Sequence, residues 1–273
     1  VQFGLDYGII NHKGKTSPDQ VSKILDAAFE GGLGVLDTAQ AYGDSELVLG
    51  KHHHDRFKII TKINPIPAGQ VRTEQHVRKS LDRLSVEKLY GLLFHSAESA
   101  LHNPKIVLGL KKLKDNGVVQ KIGYSVYTPY ELIEILSRYG QPDIIQIPYS
   151  HLDRRFERIA KELHQKGVEI HTRSTFLQGL FFAPLKNLPS LFKPVIPYLK
   201  EIKNQFSGES DIARALLSFS LSRNFIDCVV LGVNNVMQLQ ENLKACNSSS
   251  SSLPEVPINV SENIVLPYLW PKS

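Results

Sequence analysis

A single (β/α)8 barrel is the fold class this sequence predicts, on three observations. Apolar runs of strand length alternate with stretches of helical periodicity from end to end. Eight such units fit in about 250 residues, the size one barrel requires. No strand is followed by the G-x-G-x-x-G of a doubly wound dinucleotide-binding sheet, which is the alternative architecture. The chain has 273 residues and is 42% hydrophobic, enough for a full core. Length alone, at roughly 150 residues per domain, would suggest two domains. The regular repeat argues instead for one, spanning residues 1–273, with 247–273 as a serine-rich linker and tail.

"VQFG" at the amino terminus reads as the first strand. The sequence starts at Val1 rather than a methionine, which leaves room for a trimmed strand or leader. Ser17-Pro18 has the chemistry of a helix start, Val21, Ile24, Leu25 and Ala28 follow at helical spacing, and Gly31-Gly32 stops them. "LGVLDTA" is the second strand, and a short helix carries Leu47 and Leu49. "FKIITKI" (57–63) is the third strand, and a helix follows through Val77, Leu81 and Leu84. "LYGLLFHS" (89–96) is the fourth, its helix running through Ile106, Leu110 and Leu113 to Gly117. "KIGYSV" (121–126) is the fifth.

Thr128-Pro129-Tyr130-Glu131 reads as a capping box opening a helix through Leu132, Ile135 and Leu136 to Gly140. "DIIQIPYS" is the sixth strand, followed by a helix through Phe156, Ile159, Ala160 and Leu163 to Gly167. "VEIHTRS" (168–174) is the seventh. A long connection through Pro184, Pro189, Pro194 and Pro197 leads to a helix over about Asp211 to Arg223. The strand "CVVLGV" and a helix through Val236, Leu239 and Leu243 complete the eighth unit, before the flexible serine run Ser248–Ser252.

Composition narrows the function. The net charge of +5 suits an anionic small molecule, but the 32 basic and 27 acidic residues are interleaved, so no stripe for nucleic acid is expected. No apolar run approaches the roughly 18 residues of a membrane span, and no signal peptide is visible. The two cysteines, Cys228 in an apolar run and Cys246 at a helix end, make no disulfide framework, so a reducing cytoplasm is expected.

Strand parity brings out a polar set. Side chains two apart share a face, so Val35 with Asp37, Ile60 with Lys62 and Leu93 with His95 each end an inward pair on a polar group. In a barrel these are the carboxyl ends of neighbouring second, third and fourth strands, on the face where barrel enzymes keep their active sites. Tyr42, on the loop after the second strand, can fold back over them. A tyrosine hydroxyl, with a reference pKa of about 10, is a poor proton donor at neutral pH unless a nearby ammonium stabilises its phenolate. Lys62 would supply that charge, and Asp37 would keep Lys62 protonated and oriented. His95 would hydrogen-bond the substrate oxygen that Tyr42 protonates. A carbonyl accepting hydride develops alkoxide charge there, so fixed donors stabilise the transition state more than the ground state.

The segment "DTAQAYGDSE", the lysine of "ITKI" and the histidine of "LLFHS" resemble the aldo-keto reductases, barrel enzymes that reduce carbonyls with a nicotinamide cofactor. The resemblance runs from "VQFG" to about Asn242. It implies Tyr42 as general acid, Lys62 and Asp37 as the pair that eases its ionisation, and His95 as substrate orienter. For the cofactor it implies NADP, as NADPH, with NAD as the alternative. Ser125 and Gln146 match carboxamide-binding positions, although Val126 replaces the usual asparagine. Where the family often has an aromatic ring on the nicotinamide, "TRSTFLQG" offers Arg173 and Ser174, followed by Gln178 and Gly179. "LGVNNVMQLQENL" is similar to the adenosine-phosphate segment and keeps Gly232, Asn234, Asn235, Gln238, Glu241 and Asn242. It lacks the cations that grip a 2′-phosphate in many members.

Taken alone, Asp37 reads as a cap or turn residue, Tyr42 as a loop aromatic and His95 as a core histidine, while an inward Lys62 needs a partner. The four together in neighbouring units have no such ordinary reading. "KHHHDR" (His52–His54) reads as a solvated turn, because consecutive helical histidines diverge, and no metal is expected. The proline-containing connection after Gly179 reads as a lid, and Trp270 either walls the pocket or anchors the tail. Two other functions fit the same residues. One is a nicotinamide-sensing binding protein with slow turnover, and the other a lyase or aldolase with Lys62 as Schiff-base nucleophile, against which Asp37 argues. The substrate expected is a small-molecule carbonyl such as a sugar, nucleotide-sugar or metabolite aldehyde, with Phe3, Tyr7 and Tyr127 as candidate contacts.

Overall fold

The computed structural model describes residues 3–5, 14–65, 73–246, 252–257 and 260–271. Their order is α1 (Pro18–Glu30), β1 (Val35–Asp37), α2 (Ser45–His52), β2 (Lys58–Ile63), α3 (Thr73–Leu84), β3 (Leu89–Phe94), α4 (Ala97–Leu101), α5 (Pro104–Asp115), β4 (Val119–Ser125), α6 (Pro129–Tyr139), β5 (Ile144–Pro148), α7 (Glu157–Gln165), β6 (Glu169–Arg173), α8 (Ile196–Gln205), α9 (Glu209–Leu221), β7 (Cys228–Val229), α10 (Val236–Cys246) and α11 (Glu262–Val265). All seven strands are parallel and pair in chain order, β1 to β7. The last long helix returns to the first, since α10 packs on both α9 and α1. This is the (β/α)8 barrel architecture.

Helix boundaries follow the capping chemistry. Ser17 Oγ accepts from the Gln20 amide at 3.3 Å with Pro18 at the first helical position. Thr128 and Glu131 form the expected capping box, Thr128 Oγ1 accepting from Glu131 N at 3.2 Å and Glu131 Oε2 from Thr128 N at 3.0 Å. The helix that this box opens stops at Gly140, whose φ of +76° is a conformation that L side chains rarely adopt.

The apolar residues divide as a barrel demands. A large cluster lies between strands and helices, including Ile59, Ile63, Leu92, Phe94, Ile145 and Ile170, while the opposite strand face contributes Ile60, Leu93 and Ile144. Gly91 leaves room there, because a Cβ would meet Ile60 and Ile144 side chains at 3.0 and 3.1 Å. The small inner cluster lets the carboxyl ends of the strands carry polar groups instead.

Several expectations need correction. Of "VQFG", residues 1 and 2 lie outside the described residues, and Phe3–Leu5 form a turn. "CVVLGV" shortens to the strand Cys228–Val229, after which Val230 N still donates to the Thr172 carbonyl of β6 at 2.7 Å. His53 is not solvated: it is buried, with Nε2 2.7 Å from the Leu84 carbonyl oxygen. The connection after Gly179 contains α8, which begins with Pro197 in its first turn and buries Tyr198, Leu199 and Ile202. With Phe192, Ile264 and Val265 these build a separate cluster. Trp270 joins it at its edge, crossing the Phe192 ring at 5.0 Å and donating Nε1–H to the Ile264 carbonyl at 3.0 Å, so it anchors the tail. Among the described residues no helix is long and apolar enough to cross a membrane.

Candidate active site

The loop after β1 is held by most of its own motif. Thr38 N and Gln40 N donate to the Ile60 and Lys62 carbonyls at 2.8 and 3.1 Å, continuing the β1–β2 pairing past Asp37. Gln40 pins the loop to its neighbours, donating to Ser80 Oγ at 2.8 Å and accepting from Asn64 N at 3.0 Å. Ser45 Oγ lies 3.0 Å from Thr38 Oγ1, and Glu46 Oε1 accepts from Thr61 at 2.7 Å. Gly4 packs against this loop so closely that a Cβ would fall 2.0 Å from the Tyr42 carbonyl oxygen. Of "DTAQAYGDSE", Thr38, Gln40, Ser45 and Glu46 therefore set the backbone, and Asp37 and Tyr42 are the side chains it presents. Sequence reading assigned these four no role.

Asp37 and Lys62 are both buried, at 7% and 1% exposure, and form an ion pair. Lys62 Nζ also donates to the Thr38 carbonyl at 3.0 Å, and Gln146 Nε2 donates to Asp37 Oδ2 at 2.8 Å. Burial alone would raise the Asp37 pKa, but the Lys62 charge and the hydrogen bonds from Lys62 and Gln146 outweigh it and hold the carboxyl below its usual range. Tyr42 closes over this pair. Its ring centre lies 5.4 Å from Lys62 Nζ, and its ring meets His95 edge to face at 5.5 Å.

His95 follows β3 directly. Burial pushes its pKa down to about 4, helped by the Lys62 and Arg173 charges and partly opposed by Asp37. The imidazole is therefore neutral through the physiological range and presents one N–H and one lone pair. A folded value below the unfolded 6.5 means that the unfolded chain binds the extra proton between about pH 4 and 6.5, so this group makes stability fall as pH drops through that window. The expected result is a His95 imidazole NMR titration with its midpoint near 4; a midpoint near 6.5 would contradict the site's electrostatics.

The model of the aldo/keto reductase family matches residues 3–255. The chain belongs to that family. The reductase is 24% identical over 266 residues to an uncharacterized oxidoreductase of Bacillus subtilis, covering 88% of this chain and 87% of the relative. It is 25% identical over 289 residues to L-galactose dehydrogenase of Arabidopsis thaliana, covering 95% and 89%. Among solved structures it resembles the holo form of an aldo-keto reductase from Bacillus halodurans, with a TM-score of 0.73 and 23% identity over 87% of this chain and 85% of that one. The protein is accordingly an NAD(P)H-dependent oxidoreductase.

In the reductase the residues matched to cofactor positions fall in three places. Ser125 at the end of β4 and Gln146 in the middle of β5 are buried neighbours, paired in register. Arg173 ends β6, donates to the Val126 carbonyl at 3.1 Å and lies 4.2 Å from the centre of the Tyr127 ring. Its guanidinium thus rests on Tyr127, which in turn meets Tyr268 at 4.8 Å. After it the backbone turns through positive φ at Ser174 (+68°), Leu177 (+43°), Gln178 (+51°) and Gly179 (+95°).

The third place is the turn into α10. Asn235 Oδ1 accepts from Gln238 N at 2.9 Å, and Gln238 Oε1 accepts from Asn234 N at 2.8 Å. This near-capping-box commits Asn235 and Gln238 to starting the helix, a second role the sequence reading did not assign. Gly232, Asn234, Gln238 and Glu241 are exposed and Asn242 is half-buried. Of the substrate-contact candidates, Phe3 is buried, Tyr127 lies under Arg173, and Tyr7 is outside the described residues.

Proposed function

We propose that the protein reduces an aldehyde or ketone to an alcohol at the mouth of the barrel, with Tyr42 as general acid. The observation that carries this reading is the buried Asp37–Lys62 pair with the Tyr42 and His95 rings closed over it. A reduced nicotinamide cofactor supplies the hydride when bound. Tyr42 gives its hydroxyl proton to the carbonyl oxygen as charge builds there, Lys62 stabilises the phenolate left behind, and the His95 N–H orients the oxygen. Gln146 donates one amide N–H to Asp37, which turns its amide oxygen to accept from a carboxamide, beside Ser125. A Schiff-base role for Lys62 is disfavoured, because its ammonium is held by Asp37 and the Thr38 carbonyl. The likeness to an L-galactose dehydrogenase favours a sugar or small polar aldehyde as substrate. A panel of such carbonyls, followed by loss of reduced cofactor with single-turnover rates on the best, tests the reading. Absence of hydride transfer to every carbonyl from bound cofactor would leave a cofactor-sensing protein instead.

NADPH is the proposed cofactor, with a modest preference over NADH. The segment from Asn234 to Gln238 offers neutral donors, each worth about 0.5 to 1.5 kcal/mol, so a preference of roughly tenfold to a hundredfold follows. Gln238→Arg should raise the NADPH to NADH affinity ratio by about tenfold through a charge-assisted contact. The cost is a weakened helix start, because the Asn234 amide loses its acceptor. Fluorescence titration of both cofactors decides it, and an unchanged ratio would place Gln238 away from the 2′ position.

A further inference from the structure

The opposite end of the sheet holds a second set of interacting side chains. Glu169 and His171 share a face of β6 with Arg173, and β7 places Cys228 beside His171. Four residues of strand span about 13 Å, so Glu169 lies far from the Arg173 end, where Asp37, Tyr42, Lys62 and His95 sit. Cys228 Sγ, a ring nitrogen of His171 and a carboxylate oxygen of Glu169 lie within 4.8 Å of one another. His171 is fully buried, with Nε2 2.8 Å from Glu169 Oε1 and Nδ1 without a hydrogen-bond partner. Glu169 also accepts from the Tyr90 hydroxyl of β3 at 2.9 Å and is paired with Lys121 of β4. Lys58 and Lys121 stand 4.9 and 5.0 Å from the Tyr90 ring centre.

The charges in this set alternate. Burial opposes a charged imidazole, yet contact with the Cys228 sulfur and the Glu169 carboxylate raises the His171 pKa to about 9. Burial likewise opposes ionisation of Glu169, but hydrogen bonds from His171, Lys121 and Tyr90 bring it down to about 2. Lys121, Glu169 and His171 thus run positive, negative, positive, with Cys228 Sγ within 4.8 Å of both the His171 ring nitrogen and the Glu169 carboxylate. Such surroundings are those in which a thiol becomes nucleophilic.

We propose that Cys228 is an oxidant-reactive thiol, with His171 as its base and Glu169 as the group that orients His171, and that hydrogen peroxide or another hydroperoxide is its reactant. His171 already carries the proton as the imidazolium, so the sulfur reacts as the thiolate paired with it. The sulfur electron pair forms a bond to the terminal peroxide oxygen as the O–O bond breaks, and the departing hydroxide, or alkoxide from an organic hydroperoxide, takes the proton from His171 and leaves as water or the alcohol. Sulfur is oxidised by two electrons to the sulfenic acid, and the peroxide is reduced by two.

The other cysteine provides an internal comparison. Cys246 is the more exposed of the two, burial raises its pKa, and its Sγ lies 3.4 Å from the Asn242 carbonyl oxygen. Exposure alone therefore favours reaction at Cys246. The test is alkylation of the full chain by iodoacetamide near pH 6.5, and peroxide oxidation trapped with dimedone, both mapped by peptide mass spectrometry. Cys228 is expected to react about tenfold faster than Cys246 and to carry the dimedone adduct. His171→Gln and Glu169→Gln, each checked for folding by circular dichroism, should remove that advantage. Faster reaction at Cys246 in the wild type overturns the proposal whether or not the variants fold. So does an unchanged Cys228 rate in a folded variant, or one equivalent of zinc protecting Cys228, which would make the three residues metal ligands.

Discussion

Tyr42→Phe is expected to lower kcat by about 10² to 10⁴ while leaving the fold and cofactor affinity unchanged. The range is the usual contribution of a positioned acid and corresponds to about 3 to 5 kcal/mol of barrier. The substitution isolates the hydroxyl, because the loop is held by backbone and neighbouring side chains rather than by it. Tyr42 N donates to the Ala39 carbonyl at 3.1 Å, and Ser45 N to the Tyr42 carbonyl at 3.0 Å. The edge-to-face contact with His95 and the position of Lys62 near the ring need only the aromatic framework, which phenylalanine keeps. Steady-state kinetics on the best carbonyl, with cofactor titration alongside, gives the result. A loss below about threefold would remove Tyr42 from the proton transfer.

The spatial grouping behind this expectation was legible in the sequence because the period of a strand is two. Asp37, Lys62 and His95 each stand two residues after an inward apolar residue, so their common face and common end follow without coordinates. What parity cannot supply is curvature and register. The hydrogen bond from Gln146 to Asp37 joins residues 109 apart in sequence and exists because the sheet curls across its interior. Likewise, 169, 171 and 173 announce a shared face in "VEIHTRS", but only the pairing of His171 with Cys228 adds the thiol. Other misses have local causes. The five-residue α4 is too short to show a helical period, and α8 starts at prolines that read as loop, although Tyr198, Leu199 and Ile202 carry the spacing of a buried helical face. His53 lies in a polar run, and its burial depends on the distant Leu84 carbonyl.

Lys62→Met should lose activity to a degree similar to Tyr42→Phe, and the double variant should lose little more than either alone, because groups acting as a unit are strongly non-additive. Additive losses would show that the two act independently. The lysine substitution also has a structural cost that the tyrosine one lacks. Lys62 is 1% exposed, and removing it leaves the buried Asp37 carboxylate without its ion-pair partner, a change of about 3 to 5 kcal/mol in comparable buried pairs. The Asp37 pKa is lowered in the folded protein, so the stability it contributes is present above the unfolded value and disappears as pH falls through the folded one. The stability difference between wild type and Lys62→Met should therefore narrow in acid. Adding Asp37→Asn to Lys62→Met removes the orphaned charge while keeping an acceptor for Gln146. The pair is expected to regain much of the lost stability in urea unfolding and none of the lost kcat. Recovery of activity together with stability would mean that Lys62 serves only to neutralise Asp37, and that the ammonium takes no part in the chemistry at Tyr42.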